Sequence, residues 1–138
     1  MPNVALSART AIASRFVDHD DPVTVSNFSV ELGGEAVGFS EVLGIGFEPE
    51  KRRVTEVTLR RGAGVDDALW RWAGKPEKRT VVITLLNPAH EAVCRYVLQN
   101  AMPIKVSGPD LDARGTEVAM EEVVLSAEGI EVEHRGRR

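Results

Sequence analysis

Apolar and polar residues alternate along most of this chain with a period of two, and one stretch switches to a period near four. Phe28, Val30 and Leu32 alternate with Asn27, Ser29 and Glu31, the mark of a half-buried strand. Gly33-Gly34 follows and supplies the positive-φ residues of a tight hairpin, so the chain is predicted to return from Ala36 to Phe47. Gly44-Ile45-Gly46 interrupts that return, and isolated strand glycines mark a bulge or a close approach of backbone. After a short charged turn from Glu48 to Arg53, Val57 and Leu59 alternate with Glu56, Thr58 and Arg60 in a strand that stops at Gly62-Ala63-Gly64.

Here the period changes. Val65, Leu69, Trp72 and Ala73 fall at i, i+4, i+7 and i+8, which predicts one face of a helix of about three turns. Val65, Leu69 and Trp72 are its expected core contacts. Asp66 and Asp67 fall in the predicted first turn, where carboxylates meet the positive end of the helix dipole. Gly74 and Pro76 end the helix. Trp70 and Arg71 point away from the Leu69/Trp72 face, and an outward aromatic on a small domain makes the pair a candidate subunit interface.

The second half reads as strand after strand. Arg79 to Leu86 is nearly continuous Val, Ile, Thr and Leu, and Asn87-Pro88-Ala89-His90 turns the chain. Ala92 to Leu98 alternates, and Ala101 to Ser107 is broken by Pro103, which belongs at an edge or a bulge. Gly108-Pro109-Asp110 opens a polar loop to Gly115. Thr116 to Ser126 reads as one long strand whose apolar phase slips at Glu121-Glu122, as an inserted bulge residue would cause. Glu128-Gly129 reads as a last turn before Ile130 and Val132. The expected fold is α+β and mostly β: an antiparallel β-sandwich or barrel of about eight strands with one short α-helix packed against it. Residues 1–22 read as an N-terminal arm, 23–134 as one β domain and 135–138 as a basic tail.

Composition agrees with one compact domain. A chain of 138 residues, 43% hydrophobic and 28% charged, can hold a core without disulfides, and the lone Cys94 has no internal partner. Cys94 lies inside an apolar strand pattern and reads as a small buried hydrophobe, because a catalytic thiol needs a positioned histidine. The formal charge of -4 is dispersed except for the basic knots Lys51-Arg52-Arg53 and Arg135 to Arg138, which excludes a dedicated nucleic-acid binder. No stretch approaches the roughly 18 apolar residues of a membrane span, so no membrane anchor is expected. The first seventeen residues carry Arg9 and Arg15 and no acid, in the manner of a transit peptide. Without a long apolar core or a cleavage motif, they read as an exposed arm.

Catalytic, cofactor and metal sites find no support in the residues. His19, His90 and His134 stand in separate polar contexts without a ligand partner at useful spacing. Glu121-Glu122 would point to opposite faces of a strand, and Asp66-Asp67 has a sufficient role at the helix start. The serines lack a nucleophile elbow, Asp110 with Asp112 is too sparse for calcium, and the glycines at 44 and 46 lack the Lys-Ser/Thr of a phosphate loop.

Three ordered landmarks carry a resemblance. Phe28 to Gly34 with Val37-Gly38-Phe39-Ser40-Glu41-Val42, then Thr58-Leu59-Arg60-Arg61-Gly62 through Trp72, then Ser107-Gly108-Pro109-Asp110-Leu111 through Met120, resemble the tail tube proteins of contractile phages and contractile injection systems. The resemblance spans about Phe28 to Gly129. It implies a non-enzymatic inner tube subunit that forms stacked hexameric rings, a hollow tube within a contractile sheath. It implies as partners the chain itself, a sheath protein, baseplate and cap proteins, and cargo or DNA passing the lumen without sequence-specific binding. It also implies assembly in the bacterial cytoplasm, in a phage-tail-like particle. The family commonly places a long loop between its second and third strands, reaching towards neighbouring rings; here only Glu48 to Arg53 stands there. That departure keeps a tube-initiating or baseplate-proximal ring as the alternative, with a small-ligand-binding β-barrel more distant.

Overall fold

The computed structural model describes residues 27–134. The predicted arm over 1–22, the first residues of the β domain, His19 and the tail over 135–138 lie outside the described residues. Strand β1 (Asn27–Leu32) turns through Gly33 and Gly34 into β2 (Glu35–Val37), and φ values of 60° and 92° at the two glycines explain why no side chain stands there. Next come β3 (Glu41–Leu43), β4 (Phe47–Glu48), β5 (Arg53–Val54) and β6 (Val57–Gly62). Gly44, at φ 86°, marks a close approach: a Cβ there would lie 2.6 Å from the Glu56 carbonyl oxygen. The charged turn Glu48 to Arg53 is the tip of a separate two-stranded ribbon, β4 with β5.

After the helix α1 (Ala68–Gly74) come β7 (Arg79–Leu86), β8 (Ala92–Ser107), β9 (Met120–Ser126) and β10 (Gly129–His134). Every pairing is antiparallel. The main sheet runs β2-β1-β7-β8-β9-β6-β3, with β10 also on β8. The sequence reads two strands between Ala92 and Ser107, and the structure joins them into one of 16 residues that serves both halves of the sheet. Its first part pairs with β7 and β10, and its last part with β9.

β9 and β10 follow one another along β8, with Met102 opposite Ser126 and Gln99 opposite Gly129. Glu128-Gly129 therefore does not reverse the chain. The Glu128 N–H donates to the Gln99 carbonyl at 2.8 Å, which carries the ladder across the step between the two strands. The predicted bulge in the closing strand is also displaced. β9 begins only at Met120, its register with β6 is unbroken, and the irregularity lies in β8, where Pro103 faces Leu125 and Lys105 faces Val124. Ile104 is the extra residue, next to the proline that cannot donate to the ladder.

The inward rows of both halves meet in a single core that includes Leu59, Val81, Ile83, Leu98, Leu125 and the helix residues Leu69 and Trp72. Helix α1 has seven residues, shorter than the spacing predicts. The Asp66 side chain accepts a hydrogen bond from the Ala68 N–H at 2.9 Å and Asp67 has non-helical dihedrals, so the helix starts after both aspartates. Val65 thus precedes the helix and is 68% exposed, which removes it from the predicted core set; Ala73 is exposed too. The Trp72 indole donates to the Glu77 carbonyl at 2.8 Å and lies under the Arg79 guanidinium, 4.8 Å from the ring centre.

Leu69→Ala should lower the unfolding free energy by about 2–5 kcal/mol, through lost transfer energy and a cavity. Val65→Ala should stay within about 0.5 kcal/mol, as a surface change. Urea titrations of both variants check this placement, and equal losses would contradict it.

Candidate functional site

The alternation that buries Val57 and Leu59 on β6 also turns Arg61 inward, and the alternation that buries Val123 and Leu125 on β9 turns Glu121 inward. The two are direct cross-strand partners. Arg61 Nε donates to Glu121 Oε2 at 2.8 Å, with both side chains only 4% exposed. Arg61 Nη2 donates to Asp66 Oδ1, also at 2.8 Å, and the guanidinium lies 5.7 Å from the Phe39 ring centre. The indole N–H of Trp70 donates to the other Glu121 oxygen at 3.3 Å. One planar cation therefore joins two carboxylates, and one of those carboxylates holds the helix tryptophan.

Desolvation works against the charged Arg61, but the hydrogen bonds to Glu121 and Asp66 outweigh it and hold its pKa above the ordinary arginine value. The Ala68 N–H, and after it the Arg61 guanidinium, hold Asp66 below the usual aspartate range. A mirror arrangement lies on the opposite face. Arg60 stands between its cross-strand partners Glu41 and Glu122, with Nη1 2.6 Å from Glu41 and Nε 3.4 Å from Glu122 but not aligned for a hydrogen bond to it. Glu121 and Glu122 thus point to opposite faces, each beside its own arginine.

The remaining site residues fall around this network. Trp70 is 45% exposed, and a Cβ on Gly108 would meet its ring at 3.7 Å, so the start of the closing loop 108–119 lies beside it. Ser107 closes β8 opposite Glu122, Pro109 is half-buried, and Asp110 and Leu111 are exposed. Arg71 is exposed and pairs with Asp67 at 3.4 Å. Leu69 and Trp72 lie in the core, and Val65 does not. The structure thereby gathers the three sequence landmarks at one corner: Phe39 from the first, Arg61, Asp66 and Trp70 from the second, and Gly108 from the third, with Glu121 one residue beyond its end.

Sequence reasoning missed the pair at its centre. Glu121 looked like the site of a phase slip, although Arg61 and Glu121 each continue an apolar row on their own strand. Two opposite charges in core phase on two strands were the available signal. Elsewhere, burial pushes the Cys94 thiol up, and burial with the neighbouring thiol pushes Tyr96 up to about 12. No group of three His, Cys, Asp or Glu side chains is placed to hold a metal among the described residues.

The model of the T4-like virus tail tube protein gp19 family matches residues 48–131, a span that includes Arg61, Asp66, Trp70 and Glu121. Among solved structures, the chain is similar to one in the extended sheath-tube complex of an extracellular contractile injection system, PVC. The identity is 25%, over 82% of this chain and 92% of that one, with a TM-score of 0.71. A chain of the anti-feeding prophage cap is 23% identical over 91% of this chain and 99% of its own, with a TM-score of 0.75. Hcp1 from Flavobacterium johnsoniae is 13% identical over 78% and 94%, with a TM-score of 0.60. These last two share the fold. No curated protein gives a significant match.

Glu121→Ala should cost about 3–5 kcal/mol by leaving Arg61 charged and buried, whereas Arg61→Met combined with Glu121→Leu should recover most of that loss. Chemical denaturation of the single and double variants reads this directly. Because the folded-state pKa of Asp66 is depressed, its stabilising contribution is complete above the unfolded aspartate value and is lost as pH falls through the lower folded value. Asp66→Asn should accordingly lessen the drop in melting temperature on acidification through the carboxylate range.

Proposed function

This chain belongs to the T4-like virus tail tube protein gp19 family, and on that premise we propose that it is a non-enzymatic subunit of the inner tube of a contractile injection system or phage-like tail. Hexameric rings of the chain stack into a hollow tube inside a contractile sheath, with cap and baseplate proteins at its ends. The observation that carries the reading is the family match over residues 48–131, which takes in both strands of the buried charge pair, the helix and the closing loop. The likeness to the sheath-tube chain, over 92% of its length, supports the same conclusion.

The physical form suits the work. A tube pushed through an envelope must not shear, and here one 16-residue strand runs through both halves of the sheet. The formal charge of -4 suits a lumen that passes DNA or folded cargo without holding it. Assembly in the bacterial cytoplasm is part of the same reading. No helix among the described residues is long and apolar enough to cross a membrane.

Trp70 and Arg71 form a contact between subunits. The indole N–H is held by Glu121 and the ring is still half-exposed, so it meets a neighbour with little rotamer freedom left to lose. The short β4-β5 ribbon, where tube proteins commonly carry a long loop, favours one second reading: a tube-initiating or baseplate-proximal ring. Such a ring would cap tubes at one end without extending them.

Negative-stain microscopy of the purified protein, with and without its sheath partner, should show rings and tubes. Persistent monomers under both conditions would overturn the reading. Trp70→Ala should cost about 1 kcal/mol of fold stability from its lost hydrogen bond and weaken assembly by at least about tenfold. Melting curves and sedimentation profiles separate the two effects.

A further inference from the structure

The inward face of β1, β7, β8 and β10 carries successive cross-strand rows. Leu32, Val81, Leu98 and Ile130 stand opposite one another in the first, and Val30, Ile83, Tyr96 and Val132 in the second. Phe28, Leu85, Cys94 and His134 make the third. Cover thins from row to row. Leu32, Val81 and Leu98 are buried, Val132 is 46% exposed, and Phe28 and Leu85 are half-buried. Helix α1 has Trp72 beside Arg79, at the far end of β7, and β9 takes up β8 only from Met102, so both stand towards the opposite end. Yet Cys94 is only 8% exposed and its neighbour Val93 5%, although neither is part of the core.

Both ends of the described residues adjoin that third row. Asn27 precedes Phe28 and pairs with Leu86, and β10 ends at His134 opposite Cys94. The sequences that lead in and out there are complementary in charge. Asp18, Asp20 and Asp21 precede Asn27, and Arg135, Arg137 and Arg138 follow His134. Ile12 and Phe16, upstream of the aspartates, are apolar. The chain from Phe16 to Asn27 can span up to roughly 36 Å when extended. From β1 across β7 and β8 to β10 is about 14 Å, so the reach is ample.

We infer that residues 12–21 of the same chain close this end of the sheet, with Ile12 and Phe16 packed on Leu85 and Cys94 and with the aspartates facing the arginines after His134. A tether this short gives the segment an effective concentration of roughly millimolar, which a second copy in dilute solution does not match. Removing the thinly covered apolar side chains from water supplies the favourable free energy. Attraction between Asp20 and Asp21 and the arginines at 137 and 138 sets the side from which the segment crosses. An apolar row left open at the sheet end would be an aggregation liability in a subunit before assembly. The inference goes beyond the tube reading and does not rest on it.

Cys94 is the chain's one cysteine, so the rate at which dithionitrobenzoate labels the full-length protein reads the cover over this row directly. Ile12→Asp with Phe16→Asp should raise that rate at least about tenfold while circular dichroism still shows the sheet. Asp20→Lys with Asp21→Lys should raise it several-fold at about 0.05 M salt. Adding Arg137→Asp and Arg138→Asp to the lysine variant should restore the parental rate, which a general loosening of the fold would not do. Both increases should persist when the protein is diluted about a hundredfold, because a contact within one chain does not depend on concentration. Parental labelling in the first variant, or no restoration by the charge swap, would overturn the inference. An increase that vanishes on dilution would put a neighbouring copy on the row and overturn it equally.

Discussion

The Arg61–Glu121 pair is the interaction around which this molecule is arranged. Taking both charges out of water costs several kcal/mol per ion, and a single ion pair does not reliably repay that. Here the guanidinium also reaches Asp66, and the free Glu121 oxygen accepts the Trp70 indole N–H. The consequence is specificity of arrangement. A slip of β9 against β6 by one residue would turn Glu121 outward and leave Arg61 facing the core without its partner. The same slip would break the Glu41–Arg60–Glu122 row on the outer face.

That pair also links layers that the chain reaches at distant points. Asp66 connects β6 to the start of the helix by pairing with Arg61 and capping Ala68. Trp70 connects the helix to β9, and its ring lies beside Gly108 at the start of the closing loop. Strand, helix, loop and strand are thereby tied at one corner. The long β8 performs the comparable task for the sheet, since its neighbours in one half are β7 and β10 and in the other β9. A subunit fixed at these two places presents its exposed side chains at constant positions, as a repeating assembly requires.

Much of this was legible in the chain. The Gly33-Gly34 hairpin, the close approach at Gly44 and the irregularity beside Pro103 each follow from one residue's backbone chemistry. The inward Leu69 and Trp72 follow from helical spacing. Val65 obeys the same spacing and fails, because an Asp66 side chain that caps Ala68 ends the helix before periodicity does. Glu121 misled in the other direction. Its charge looked like a break in the apolar row, whereas the row is continuous and the charge is matched by an arginine sixty positions away.

The sequence by itself determined the class of fold, the position of the helix and the order of landmarks by which the family is recognised. Those depend on local periodicity, on glycine and proline geometry, and on residues close together in the chain. Only the tertiary structure decided that Arg61 and Glu121 form a buried pair, that β8 is one strand shared by two halves, and that Glu128-Gly129 is a step rather than a reversal. It alone placed the β4-β5 ribbon and the closing loop at opposite ends of β6 and β9. Each of these depends on which strands lie side by side, and a one-dimensional pattern carries a strand's facing but not its neighbour.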